Sequence, residues 1–245
     1  MLGVQLYSVR TELAADRACT LRRLAEIGFD AVEPYDPLAD PDGFRALTDE
    51  LGLAVPTVHA GQLLAGEPAP VLDAVATLGA ELVIIPAGIA AEEFTTKGGL
   101  VRTAARLNEI AEFVAGRGMR LGYHNHWWEI EPMVEGRHAI EVLAELLDPA
   151  VALEVDTYWA AVGGADPVAL LGRLGSRVAA LHVKDGPIRK GEPHTAVGAG
   201  AMPVPAILAA APDALRVVEL DECATDMFDA LADSRTYLTG LGVAT

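Results

Sequence analysis

Cysteine is nearly absent: Cys19 and Cys223 are the only two, and they are isolated. A disulfide framework is therefore excluded, and such usage fits a reducing, cytoplasmic compartment. Positive charge is also scarce, with 18 Lys and Arg against 35 Asp and Glu, a formal net charge of −17. A chain this acidic opposes phosphate backbones and anionic lipid, so neither nucleic acid nor a membrane surface is expected as a partner. No apolar run reaches the ~18 residues of a membrane span; the one at 82–91 is far too short. The opening Met-Leu-Gly-Val-Gln-Leu-Tyr-Ser lacks a basic segment followed by an apolar core, so no signal peptide is expected. Linkers and low-complexity tracts are missing too, and the 245 residues read as one domain.

What is present is apolar and periodic. At 51% hydrophobic residues the chain has ample material for a large core. Short β-branched runs at 3–7, 30–33, 54–59, 81–87, 120–124, 151–156, 178–184 and 216–220 predict eight strands. Helical patterns follow them at 13–27, 42–51, 71–78, 100–115, 139–147, 167–174, 204–211 and 227–241. Gly52 and Gly79 stand where helices need a C-terminal cap. Alternation of strand and helix at a step of roughly thirty residues predicts a single (β/α)8 TIM barrel. A doubly wound open sheet competes, but no Gly-x-Gly-x-x-Gly turn follows the first strand.

A barrel does its chemistry at the C-terminal ends of its strands. Those ends carry Gln5 and Tyr7, Glu33, His59, His124 and His126, Asp156, His182 with Lys184, and Glu219 with Asp221. The fourth strand ends in Ile-Ile-Pro-Ala-Gly and adds nothing ionisable. Each residue alone has an ordinary reading. A strand-end histidine is commonly structural, Asp156 before Thr157 fits a helix cap, and Lys184-Asp185 fits an exposed pair. Jointly they are harder to dismiss, because gathering this much charge at one mouth is costly without a metal or substrate. The window 120–131, with two histidines, an asparagine and two glutamates, offers the donors of a divalent transition metal.

At this point the chain resembles a known group. The strings Gly-Val-Gln-Leu-Tyr-Ser-Val-Arg at 3–10, Tyr-His-Asn-His at 123–126 with Glu129, Asp-Thr-Tyr-Trp at 156–159, Leu-His-Val-Lys-Asp-Gly at 181–186, Val-Gly-Ala-Gly at 197–200 and Val-Glu-Leu-Asp at 218–221 carry the resemblance. It is to the sugar phosphate isomerase/epimerase family of xylose isomerase-like TIM barrels. The resemblance implies one divalent ion, commonly manganese, with magnesium, cobalt or zinc as alternatives. It implies Asp156, His182 and Glu219 as ligands, with Glu129 as the fourth and Glu131, His124 and His126 as substitutes for it.

Such a site implies metal-dependent isomerisation or epimerisation of a keto-sugar, phosphorylated or not, through a metal-stabilised enediolate. Glu129 and Glu219 are expected as the acid/base pair and Lys184 as a stabiliser of negative charge. Gln5, Tyr7, Glu33, His59, His124 and His126 are expected to hold sugar hydroxyls. Trp159, where relatives carry a histidine, is expected as an apolar pocket wall. Two alternatives stay open: an inosose-type dehydratase on the same site, and a non-catalytic sugar-binding barrel. A relative of endonuclease IV would need a basic face for DNA, which −17 opposes. Relatives often form homo-oligomers, and Trp127 and Trp128 suit either a pocket wall or a neighbouring subunit.

Overall fold

The computed structural model describes residues 1–243. Its eight barrel strands are β1 (Leu2–Gln5), β2 (Ala31–Glu33), β3 (Thr57–His59), β4 (Leu82–Ile85), β5 (Arg120–His124), β6 (Ala152–Asp156), β7 (Val178–Val183) and β8 (Leu215–Val218). They run parallel in the order β2-β1-β8-β7-β6-β5-β4-β3. The remaining seam joins β2 to the approach of β3 through one bridge, Ala31 to Ala54. The sequence pattern predicts a third strand over 54–59, but only Thr57–His59 forms. Pro56 has no amide hydrogen to give a ladder, which interrupts the run.

Helices alternate with the strands as the periodicity predicts, with two departures: an unexpected short helix, Thr157–Val162, precedes Pro167–Leu174, and the first helix is broken. The single helix expected over 13–27 is two, Arg10–Ala15 and Arg17–Ile27. Asp16 between them is extended, and its side chain accepts from Cys19 N, starting the second helix afresh. Leu21 and Leu24 of that helix are fully buried, each contributing about 1.5–3 kcal/mol by leaving water. Gly52 and Gly79 end their helices at φ 69° and 82°, a left-handed conformation that costs a β-carbon-bearing residue energy. Among the described residues no helix is long and apolar enough to cross a membrane.

Alternation along the strands builds the barrel interior in layers. Two residues before five of the inward polar groups stands a small one: Gly3 before Gln5, Ala31 before Glu33, Gly122 before His124, Ala152 before Glu154, Ala180 before His182. Small side chains below leave room for a layer of imidazoles and carboxylates above. The loop after β5 folds over that layer as a short turn, Trp127–Glu129, and a hairpin pairing Met133–Val134 with Arg137–His138.

Candidate active site

Asp156 and His182 are register partners at the ends of β6 and β7, and both are fully buried. Asp156 Oδ1 accepts from Trp159 N at 2.8 Å and caps the helix Thr157–Val162. The cap expected of it is therefore real, and it uses only one oxygen. The other, Oδ2, lies 2.8 Å from Lys184 Nζ without an aligned hydrogen bond. Burial pushes the Asp156 carboxyl up to about 6, against the pull of Lys184.

Lys184 is buried among carboxylates, with Nζ 2.7 Å from Glu219 Oε2 and 3.0 Å from Asp221 Oδ2. Burial alone would lower its pKa, but Asp156, Glu219 and Asp221 together raise it well above the usual value. It stays an ammonium. Glu219 shows the converse: burial would raise its pKa, and Lys184 and His182 hold it well below the carboxylate range. His182 Nδ1 lies 2.7 Å from Glu219 Oε2, and its Nε2 lies 2.7 Å from Glu33 Oε1.

Two overlapping groups of donors lie close enough to hold a cation: His124, Asp156, His182 and Glu219, and His59, His124, Glu154 and His182. The first contains the three ligands that the resemblance implies. The fourth member of that group is His124, and Glu129, the fourth ligand the resemblance implies, is not among its members. Glu129 is buried, but its Oε1 accepts from the Tyr123 hydroxyl at 2.8 Å and its Oε2 from His126 N at 2.8 Å. It closes the turn after β5, and both oxygens are engaged there. Burial pushes its carboxyl up to about 7, although those donors pull it down. Glu131 is exposed and stands apart from both groups.

The mouth above is a cavity of about 630 Å³ lined by Tyr7, Tyr35, His59, His124, His126, Trp127, Trp128, Trp159, Lys184, Lys190, Glu219 and Asp221 among others. Trp159, Trp127 and Trp128 are thus walls of it, with Trp159 and Trp127 centroids 4.8 Å apart. His126 stacks on Trp128 at 4.1 Å, and burial with Lys184 nearby lowers it to about 3, so it is neutral. Tyr7 meets the edge of Tyr35. Gln5 and Glu33 do not reach the cavity: both are buried beneath it, Gln5 Nε2 donating to Glu33 Oε1 at 2.6 Å. A hydroxyl-binding role expected of that pair lacks access.

Glu154 is absent from the sequence-based set, yet it sits at the centre of the polar layer. Its Oε2 lies 2.7 Å from His59 Nε2, 3.0 Å from His124 Nδ1 and 3.2 Å from His182 Nε2. The signal was available, since Glu154 is two residues before Asp156 and so shares its face. Asp185 is a second surprise. Far from exposed, it is buried and accepts from the N–H of Gly186, Gly198, Gly200 and Met202, pinning the Val-Gly-Ala-Gly segment under the rim.

A parallel barrel with a His/Asp/Glu centre at its C-terminal mouth defines a class, and the chain belongs to the xylose isomerase-like TIM barrel family, which residues 21–214 match. A stretch of 80 residues is 41% identical to the inosose dehydratase of Geobacillus kaustophilus, covering 32% of this chain and a quarter (25%) of that protein. In structure the chain is similar to a sugar phosphate isomerase/epimerase from Parabacteroides distasonis (TM-score 0.80, 23% identity, 97% of this chain and 92% of the other). It is also similar to a probable 3-DHS dehydratase from Bacillus anthracis (TM-score 0.75, 14% identity, 97% and 98% covered).

Proposed function

We propose that this barrel is a divalent-metal-dependent isomerase or epimerase of an unphosphorylated keto-sugar, with His124, Asp156, His182 and Glu219 as the metal ligands. The observation that carries the reading is the convergence of those four donors from four strands beneath one cavity. Asp156 Oδ2 is buried, 2.8 Å from Lys184 Nζ and without an aligned hydrogen bond, so it keeps lone-pair capacity for a metal ion. Two imidazoles and two carboxylates suit manganese, cobalt or zinc better than magnesium, which favours oxygen alone. When bound, such an ion supplies Lewis acidity to a carbonyl and its neighbouring hydroxyl.

The chain's own residues supply the rest. Glu219 is ionised and lines the cavity, so it can take the proton beside the carbonyl. Lys184 keeps its charge and faces the same space, where it offsets negative charge that develops on the sugar oxygens. His126, neutral and lining the cavity from the β5 side, can hold a sugar hydroxyl. Trp159, Trp127 and Trp128 give the apolar faces of a sugar a flat wall and exclude water. The cavity offers little to a phosphate. Against its two lysines, Lys184 and Lys190, stand the carboxylates of Glu219 and Asp221 in the same lining, which leaves little net positive charge for a dianion.

The test is metal content and solvent-deuterium incorporation into a panel of keto-sugars. One equivalent of a divalent ion and deuterium at the carbon beside the carbonyl are expected. A protein with neither is a sugar-binding barrel at most. The inosose dehydratase stretch favours a second reading, loss of a β-hydroxyl from the same proton abstraction. An enone absorbance appearing with turnover would select it over epimerisation.

A further inference from the structure

The two donor groups share His124 and His182, and an imidazole has only two nitrogens. Each ring serves both groups at once only as a doubly deprotonated bridge. The hydrogen bonds assign the nitrogens differently. His182 gives Nε2 to Glu33 Oε1 at 2.7 Å, and its Nδ1 faces Glu219. His124 gives Nδ1 to Glu154 Oε2 at 3.0 Å, which leaves Nε2 for the rim. His59 Nε2 lies between the two carboxylates, 2.7 Å from Glu154 Oε2 and 3.1 Å from Glu33 Oε1. The Gln5 amide adds a further donor to Glu33 Oε1. The deep oxygens that meet the rings are thus already crowded by N–H groups.

We propose that Glu33 and Glu154 are positioning residues that hold the outer N–H of His182 and His124, so that His182 Nδ1 and His124 Nε2 face one shared cation. His59 is the clamp that keeps the two carboxylates side by side. This inference rests on the metal site of the functional reading and extends it downward into the barrel. A carboxylate on the far nitrogen fixes the tautomer and ring orientation of a ligating histidine and makes it a stronger donor. Glu33, His59 and Glu154 therefore act through other side chains, and only His59 of the three reaches the cavity.

The experiment titrates zinc into metal-stripped full-length protein and reads imidazole nitrogens by long-range ¹H–¹⁵N correlation in the zinc-loaded form. Wild type should bind one cation, with His182 ligated through Nδ1 and His124 through Nε2. Glu33→Ala and Glu154→Ala should each weaken zinc binding about 10- to 100-fold. Glu33→Gln and Glu154→Gln, which keep an acceptor oxygen, should lie between wild type and the alanine variants. Ligation through the opposite nitrogens in wild type would overturn the proposal even if no variant folds. So would a second zinc equivalent, using the buried and unpartnered Glu33 Oε2 and Glu154 Oε1. One zinc bound equally well by folded alanine variants would sink the positioning role alone. Wild type that takes up no zinc, manganese or cobalt would instead sink the functional reading beneath it.

Discussion

Glu129, in the loop after β5, and Glu219, just past β8, are both buried glutamates at the same end of the barrel, and their surroundings are opposite. Around Glu219 stand an ammonium and an imidazole, which keep it ionised despite burial. Around Glu129 stand a tyrosine hydroxyl and backbone N–H groups, with burial the largest influence, and it is driven up to about 7. Residue type and depth are shared; the sign and distance of neighbouring charge are not. The difference separates a carboxylate available to a cation or a substrate proton from one that shapes a loop.

Several substitutions would break or sharpen that contrast. The largest effect is expected from Asp156→Ala or His182→Ala, each removing bound metal and with it measurable turnover; metal analysis after gel filtration checks the first and deuterium exchange the second. Glu219→Gln should cut exchange by about 10²- to 10⁴-fold, the usual weight of a general base. Trp159→Ala removes a cavity wall worth about 1 kcal/mol, so KM should rise several-fold with kcat less changed. Glu129→Gln should leave metal affinity unchanged, and a loss of metal comparable to that of Asp156→Ala would erase the comparison.

Glu129 also fixes a pH signature. Its carboxyl titrates near 4.5 unfolded and at about 7 folded, so the folded state binds the extra proton between those values. Stability from this group is present below 4.5 and is lost as pH rises to about 7. Urea denaturation across pH 5 to 8 should show a falling contribution in wild type that is missing in Glu129→Gln. The smallest effect is Tyr123→Phe, which removes one hydrogen bond at a cost of about 1 kcal/mol. Because the hydroxyl donates to the carboxylate, its loss should move the Glu129 titration higher still.

Much of this was readable without coordinates. The strand–helix alternation is written in β-branched runs, glycine caps and apolar periodicity, all of which act within a few residues. That Asp156, His182 and Glu219 meet is legible because strand ends in a barrel share one mouth. Proximity of Glu129 in sequence to two histidines says nothing about where its carboxylate turns, and in the fold it accepts from the Tyr123 hydroxyl and His126 N. Gln5 and Glu33 stand at strand ends as the pattern predicts, but their burial away from the cavity lining is not encoded locally. Glu154 shares the face of Asp156 by the two-residue period, but its place among three imidazoles depends on strands β3, β5 and β7 and is not written in its own segment.

The order of residues by itself settled the barrel, the mouth at which polar groups gather and the acidic, cysteine-poor character of the chain, since propensity, periodicity and charge are local or additive. Which nitrogen of His182 faces which carboxylate, and which of two buried glutamates keeps its proton near neutrality, was decided only by closure of the strands. The first depends on distances of about 3 Å between residues up to 149 positions apart, the second on burial and on the charges set beside Glu219, and only the folded cylinder fixes either.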